Sequence, residues 1–65
     1  MKNAFPKNLK TLRTEARLTQ FDLATKLLTT QRRISYMEQG KVEPDLETLI
    51  DIADFFEITV DELIR

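Results

Sequence analysis

Only two residues, Leu28 and Thr29, separate two segments that both read as helices, and this spacing constrains the chain more than any other feature. The first segment has a well-marked start. Thr19 is a good N-cap, and Asp22 three residues later can answer it much as the glutamate of a capping box does. Leu18 before the cap and Leu23 after it fit a hydrophobic staple. The helix runs to about Leu27 and turns Leu23, Ala24 and Leu27 inward. Thr30 caps the second segment, which ends at Gln39 because Gly40 can take the left-handed conformation at C′. A turn that short between two short helices makes them cross steeply, which is the helix-turn-helix arrangement, here about residues 19–39.

The flanking sequence repeats the pattern. Pro6 suits a first helical position, and Leu9, Leu12 and Ala16 then share one face of a helix over roughly residues 6–17. Pro44 and Asp45 open a fourth helix with Leu46, Leu49, Ile50, Ala53 and Phe56 on one face. Thr59 to Glu62 is a full capping box, stapled by Ile58 and Leu63, and starts a short fifth helix. Nothing alternates with period two for long, so strands are not expected. The expectation is a compact all-α domain of five short helices, a single unit over residues 1–65.

Composition removes several functions. The chain has no cysteine and no histidine, and with them go the commonest zinc ligands, the usual general base and the thiolate nucleophile. A catalyst would need Ser, Lys, Asp or Glu in a cleft, and five packed helices of this size offer little cleft. No enzyme, cofactor or metal site is expected. Apolar runs are far too short for a membrane span, and residues 1–10 hold no apolar stretch that could act as a signal peptide. A soluble cytoplasmic protein follows. Its net charge of −1 averages two unlike halves. Up to Lys41, nine Lys and Arg face Glu15, Asp22 and Glu38, a net of +6; from Val42 on, Arg65 alone faces eight Asp and Glu, a net of −7. Such asymmetry points to an anionic partner for the basic half, the competing reading being ordinary solvated helix faces.

Two charges fall on inward faces. Arg13 lies between Leu9 and Ala16, and Glu38 lies beside Ile34. Buried opposite charges are costly unless they meet, so a salt bridge locking the first helix to the third is expected; the alternative is that each snorkels to solvent. The outward face of the third helix carries Gln31, Arg32, Ser35, Tyr36 and Gln39. A helix fits the major groove, where Arg reads guanine, Gln reads adenine, and an apolar or aromatic surface meets the thymine methyl. Gln20, Thr30, Arg33 and Lys41 flank that surface and suit phosphate. A merely solvated polar helix would look similar.

The runs LKTLR at 9–13, LTQFDLA at 18–24, ISYMEQGK at 34–41, PDLETL at 44–49 and ITVDEL at 58–63 together resemble the phage Cro and cI repressor type of helix-turn-helix domain, the XRE family. The resemblance covers nearly the whole chain, and it implies five helices with the third as recognition helix, usually in dimers on double-stranded DNA. It implies base reading by Gln31, Arg32 and Tyr36, with Ser35 beside them. Phosphate contact is implied for Gln20, Thr30, Arg33 and Lys41, with Gln39 at the edge, and a structural salt bridge for Arg13 and Glu38. The chain departs from the family where glycine is common, with Leu28 in the turn and Glu57 before the last capping box.

The resemblance makes a transcriptional regulator the leading reading, most simply a repressor on a palindromic operator. A symmetric homodimer is expected through the fifth helix and the end of the fourth, using Phe55, Ile64 and Val60. Phe55 would otherwise fold against its own fifth helix. An antitoxin-type or other protein-interaction module, binding DNA together with a protein partner docked on the acidic face, is the second reading. A controller of a restriction–modification system is a third version, which the residues do not separate from these.

Overall fold

A computed structural model describes residues 3–65, so Lys2, counted above in the basic half, and part of the N-terminal segment read for a signal lie outside it. The described residues form α1 (Phe5–Glu15), α2 (Gln20–Lys26), α3 (Gln31–Glu38), α4 (Leu46–Phe55) and α5 (Val60–Ile64), with no strand among them. None of these helices is long and apolar enough to cross a membrane.

Side-chain caps start four of the five helices. The Thr19 and Thr59 hydroxyls accept from the Asp22 and Glu62 amides at 3.0 Å, and the Asp22 and Glu62 carboxylates accept from the Thr19 and Thr59 amides at 3.0 Å, completing two capping boxes. Thr30 and Asp45 cap α3 and α4 in the same way, without the reciprocal bond. The ends are equally uniform. After α1, α2, α3 and α4 the chain turns left-handed at Arg17, Leu28, Gly40 and Glu57, with φ of 60, 57, 73 and 58°. In each case the following amide reaches back across five residues, Leu18 to Arg13, Thr29 to Ala24, Lys41 to Tyr36 and Ile58 to Ala53. These are four Schellman motifs, and only one has the glycine that suits the conformation without strain.

One core holds the helices together. Phe5, Leu9, Leu23, Ile34, Met37, Ile52 and Leu63 are almost fully buried, with Ala24, Leu49 and Ala53 beside them. The amide of Ala4 donates to the Ile64 carbonyl at 3.1 Å, and the Asn8 side chain donates to the Leu63 carbonyl at 2.9 Å, tying α5 to α1. Two expected faces differ from what is observed. Ala16 is exposed, because α1 stops at Glu15 and Ala16 is its C-cap. On α4 the buried stripe is Leu49, Ile52 and Ala53, while Leu46 and Ile50 are 67% and 42% exposed. At about 100° per residue, the apolar positions of α4 spread around more of the helix than its neighbours cover, and the core takes the arc centred near Ile52 and Phe56.

Candidate nucleic-acid interface

The outer side of α3 is set by its inner side. Ile34 and Met37 are buried, and at about 100° per residue the opposite pole falls between Arg32 and Gln39, with Ser35, Tyr36 and Gln31 around it. Gln31, Arg32 and Gln39 are exposed, and Tyr36 is 38% exposed. The Gln31 and Arg32 side chains make no hydrogen bond or ion pair with any described residue, so their donors are available to a ligand. Two neighbours are pre-arranged: the Gln39 amide donates to the Ser35 hydroxyl at 2.8 Å, and the Lys41 ammonium lies 5.7 Å from the centre of the Tyr36 ring. The latter is a cation–π contact that holds a positive charge beside the aromatic face. Thr30 stands at the N-terminus of α3, its hydroxyl accepting from the Arg33 amide at 3.2 Å.

Arg13 and Glu38 meet beneath this surface. Arg13 Nε donates to Glu38 Oε2 at 2.6 Å and Nη2 to Oε1 at 3.1 Å, a bidentate pair with the two side chains only 11% and 5% exposed. Nη1 donates to the Leu18 carbonyl at 2.8 Å, which also ties down the entry to α2. The hydrogen bond to Glu38 holds the Arg13 guanidinium above its ordinary pKa. Gln20 joins it from the first turn of α2, its amide donating to Glu38 Oε1 at 3.2 Å. One carboxylate on α3 therefore fixes residues from α1 and α2, including a glutamine read from the sequence as a phosphate contact.

Arg33 is placed differently from the rest of the expected set. It lies about 100° around α3 from Arg32, and its Nη2 donates to the Thr48 hydroxyl at 3.1 Å, with the Asp45 carboxylate at 4.0 Å. Its guanidinium is engaged on α4, where it braces α3, rather than standing with the outward group. Sequence spacing alone could not find this, because the partner is fifteen residues away. The three residues expected at a dimer interface are also not alike. Phe55 is 38% exposed and stacks edge-on against Phe56, at 4.9 Å between ring centres. It lines a groove with Lys26, Leu27, Leu28, Asp51 and Asp54, none of which comes from α5. Val60 and Ile64 are half-buried against the core.

Neither metal-binding clusters nor free cysteines occur among the described residues. What the site offers is a convex helix face with amide, guanidinium, hydroxyl and aromatic groups, a shape suited to a groove and not to enclosing a small molecule.

A family profile described as helix-turn-helix matches residues 9–63. The chain is 43% identical over 60 residues to the HTH-type transcriptional activator BcrR of Enterococcus faecalis, covering 92% of this chain and 29% of BcrR. It superposes on a transcriptional regulator from Listeria innocua with a TM-score of 0.90 at 33% identity, covering 98% of this chain and 60% of that one. On the restriction–modification controller protein C.AhdI from Aeromonas hydrophila the TM-score is 0.83 at 27% identity, covering 92% and 87% of the two chains. The chain thus spans less than a third of BcrR and three-fifths of the Listeria regulator. With α2 packed on α3 across a short turn, the braced third helix and these likenesses, the chain belongs to the XRE-type helix-turn-helix family of DNA-binding transcriptional regulators, which is not a class of enzymes.

Proposed function

We propose that the chain is a cytoplasmic transcriptional repressor that lays α3 in the major groove of double-stranded DNA and binds a palindromic operator as a homodimer. The observation that carries this reading is the face of α3 on which Arg32 and Gln31 stand exposed and unpartnered above a buried Ile34 and Met37. Arg32, Gln31 and Tyr36, with Ser35 beside them, read base edges, Arg32 bidentately on guanine and Gln31 on adenine. Gln20, Thr30, Lys41 and Gln39 meet phosphates on either side. Arg33 acts through α4, as a brace that sets the tilt of α3. The basic half thereby faces the DNA and the acidic half faces away.

For the dimer, the half-buried Val60 and Ile64 remain candidates on α5, on which α4 packs. The more exposed Leu46 and Ile50, one turn apart on α4, supply the larger apolar contribution. Phe55 is about 140° around α4 from Ile50 and so stands apart from that flank. Selection from a random double-stranded DNA pool, with enriched sites titrated at several salt concentrations, tests this function. Enriched inverted half-sites about one helical turn apart are the expected result. A flat pool with weak, salt-sensitive binding would refute sequence reading by α3 alone.

A second reading is favoured by the carboxylate-lined groove beside Leu28: a regulator that binds DNA together with a protein partner, as in antitoxins.

A further inference from the structure

The turn between α2 and α3 carries the most exposed large apolar side chain among the described residues. Leu28 is 94% exposed and sits at φ +57°, a conformation that costs an L-residue energy and that glycine adopts without strain. It gains no packing in return, so neither folding nor local geometry accounts for a leucine there. Leu28 lines a groove of about 450 Å³ that also includes Leu27 and Phe55, with Asp51 and Asp54 on the α4 side and Lys26 on the other. A smaller hollow of about 220 Å³, which Leu28 and Asp51 also line, adds the Asp45 and Glu47 carboxylates and Arg33. Arg33 is already bonded to Thr48. Across the two hollows, four carboxylates thus face two cations, one of them occupied.

This composition selects the occupant. A second copy docked by two-fold symmetry would bring the Asp51 and Asp54 carboxylates of both copies into one interface with only the two Lys26 side chains to offset them, and like charges repel as they lose solvent. A head-to-tail copy would repeat the contact from copy to copy into a ring or an open filament. A small ligand fits poorly, because ligand sites bury most of their ligand and a wall that is 94% exposed encloses little. The geometry points to a cationic amphipathic helix of a partner protein, with its apolar stripe on Leu28 and Phe55 and its Lys or Arg residues paired with Asp51 and Asp54. Amphipathic helices use this mode of recognition, anchoring at i, i+3, i+4 and i+7 in an apolar groove. The inference rests on the second reading above and gives it a surface. The groove is lined by no residue of α3, and the adjoining hollow reaches α3 only at Arg33 and Met37, so neither uses Gln31, Arg32 or Tyr36 and DNA and partner can be held together.

The test uses the chain as it stands and a synthetic amphipathic helical peptide with a leucine stripe and lysine flanks, beside a counterpart in which glutamate replaces lysine. Backbone amide shifts are followed by NMR during titration. The lysine peptide is expected to bind saturably, moving the amides of Lys26, Leu28, Asp51 and Asp54, and the glutamate peptide to leave them in place. Leu28→Gly, which suits the turn and retains the fold, should weaken the lysine peptide roughly tenfold, and D51N with D54N by a similar factor. Affinity of Leu28→Gly for the selected operator should not change, which separates this proposal from the reading of DNA by α3. Shifts on α5 or spread over all acidic surfaces, equal binding by wild type and Leu28→Gly, or self-association that Leu28→Gly abolishes would each overturn it.

Discussion

The left-handed turn at Leu28 makes a stability measurement unusually direct, because almost nothing else changes when its side chain is removed. Holding an L-residue in that conformation costs roughly 1–2 kcal/mol. Leu28 is 94% exposed, so truncating it forfeits almost no buried apolar area. Against the gain stands the greater freedom of glycine in the unfolded chain, about 0.4–1 kcal/mol. Leu28→Gly should therefore stabilise the domain by about 0.5–1 kcal/mol. For a domain of this size that corresponds to a rise in Tm of roughly 2–8 °C. Leu28→Ala is the control: alanine loses the leucine atoms beyond Cβ but keeps Cβ and with it the strained φ, so it should stay within about 0.5 kcal/mol of wild type. Urea melts of the three proteins should share one m value and differ only in midpoint. A glycine variant no more stable than the alanine variant would mean that the turn carries no strain, and would remove the reason for thinking that Leu28 is kept for a partner.

Four further outcomes are expected. Arg32→Ala should cost about 1–3 kcal/mol on the selected site and relax preference at one base pair; equal loss on every sequence would reassign Arg32 to phosphate. Lys41→Ala should weaken binding to all sequences and lower the salt slope by about one, and an unchanged slope would take it off the DNA. In the folded chain the Thr19 amide and hydroxyl hold the Asp22 carboxyl below its ordinary 3.8, and the Thr48 hydroxyl and amide do so for Asp45. The unfolded chain thus takes up these protons first, and the stability the two caps supply is complete above that ordinary value and lost as pH falls through the lower folded values. A D22N/D45N variant, which keeps capping side chains, should show a flatter acid limb in urea melts; the same limb as wild type would discount the linkage. Ile50→Glu should give a folded monomer by sedimentation and weaker operator binding, whereas Phe55→Glu should leave the dimer intact. The reverse pattern would move the interface to the end of α4.

Much of this protein is decided within a few residues along the chain. Thr19, Thr30, Asp45 and Thr59 each find their capping partner three residues on, and Gly40 closes α3 locally. Helix starts, the two-residue turn and the outward face of α3 were therefore legible in the sequence, since both the caps and the 3.6-residue period are local. Even the Arg13–Glu38 pair could be expected, because two opposite charges on inward faces have few ways to avoid the cost of burial. Other features depended on what packs against what. Whether Leu46 and Ile50 or Ile52 enters the core, whether Phe5 is buried, and that Arg33 bonds to Thr48 were settled by neighbours from distant parts of the chain. The same is true of the Leu28–Phe55 groove, whose walls come from two helices and a turn that touch only in the folded molecule. Periodicity says which residues share a side of one helix; only the packed helices determine which part of that side is covered, because an apolar arc can be wider than the surface its neighbours can bury.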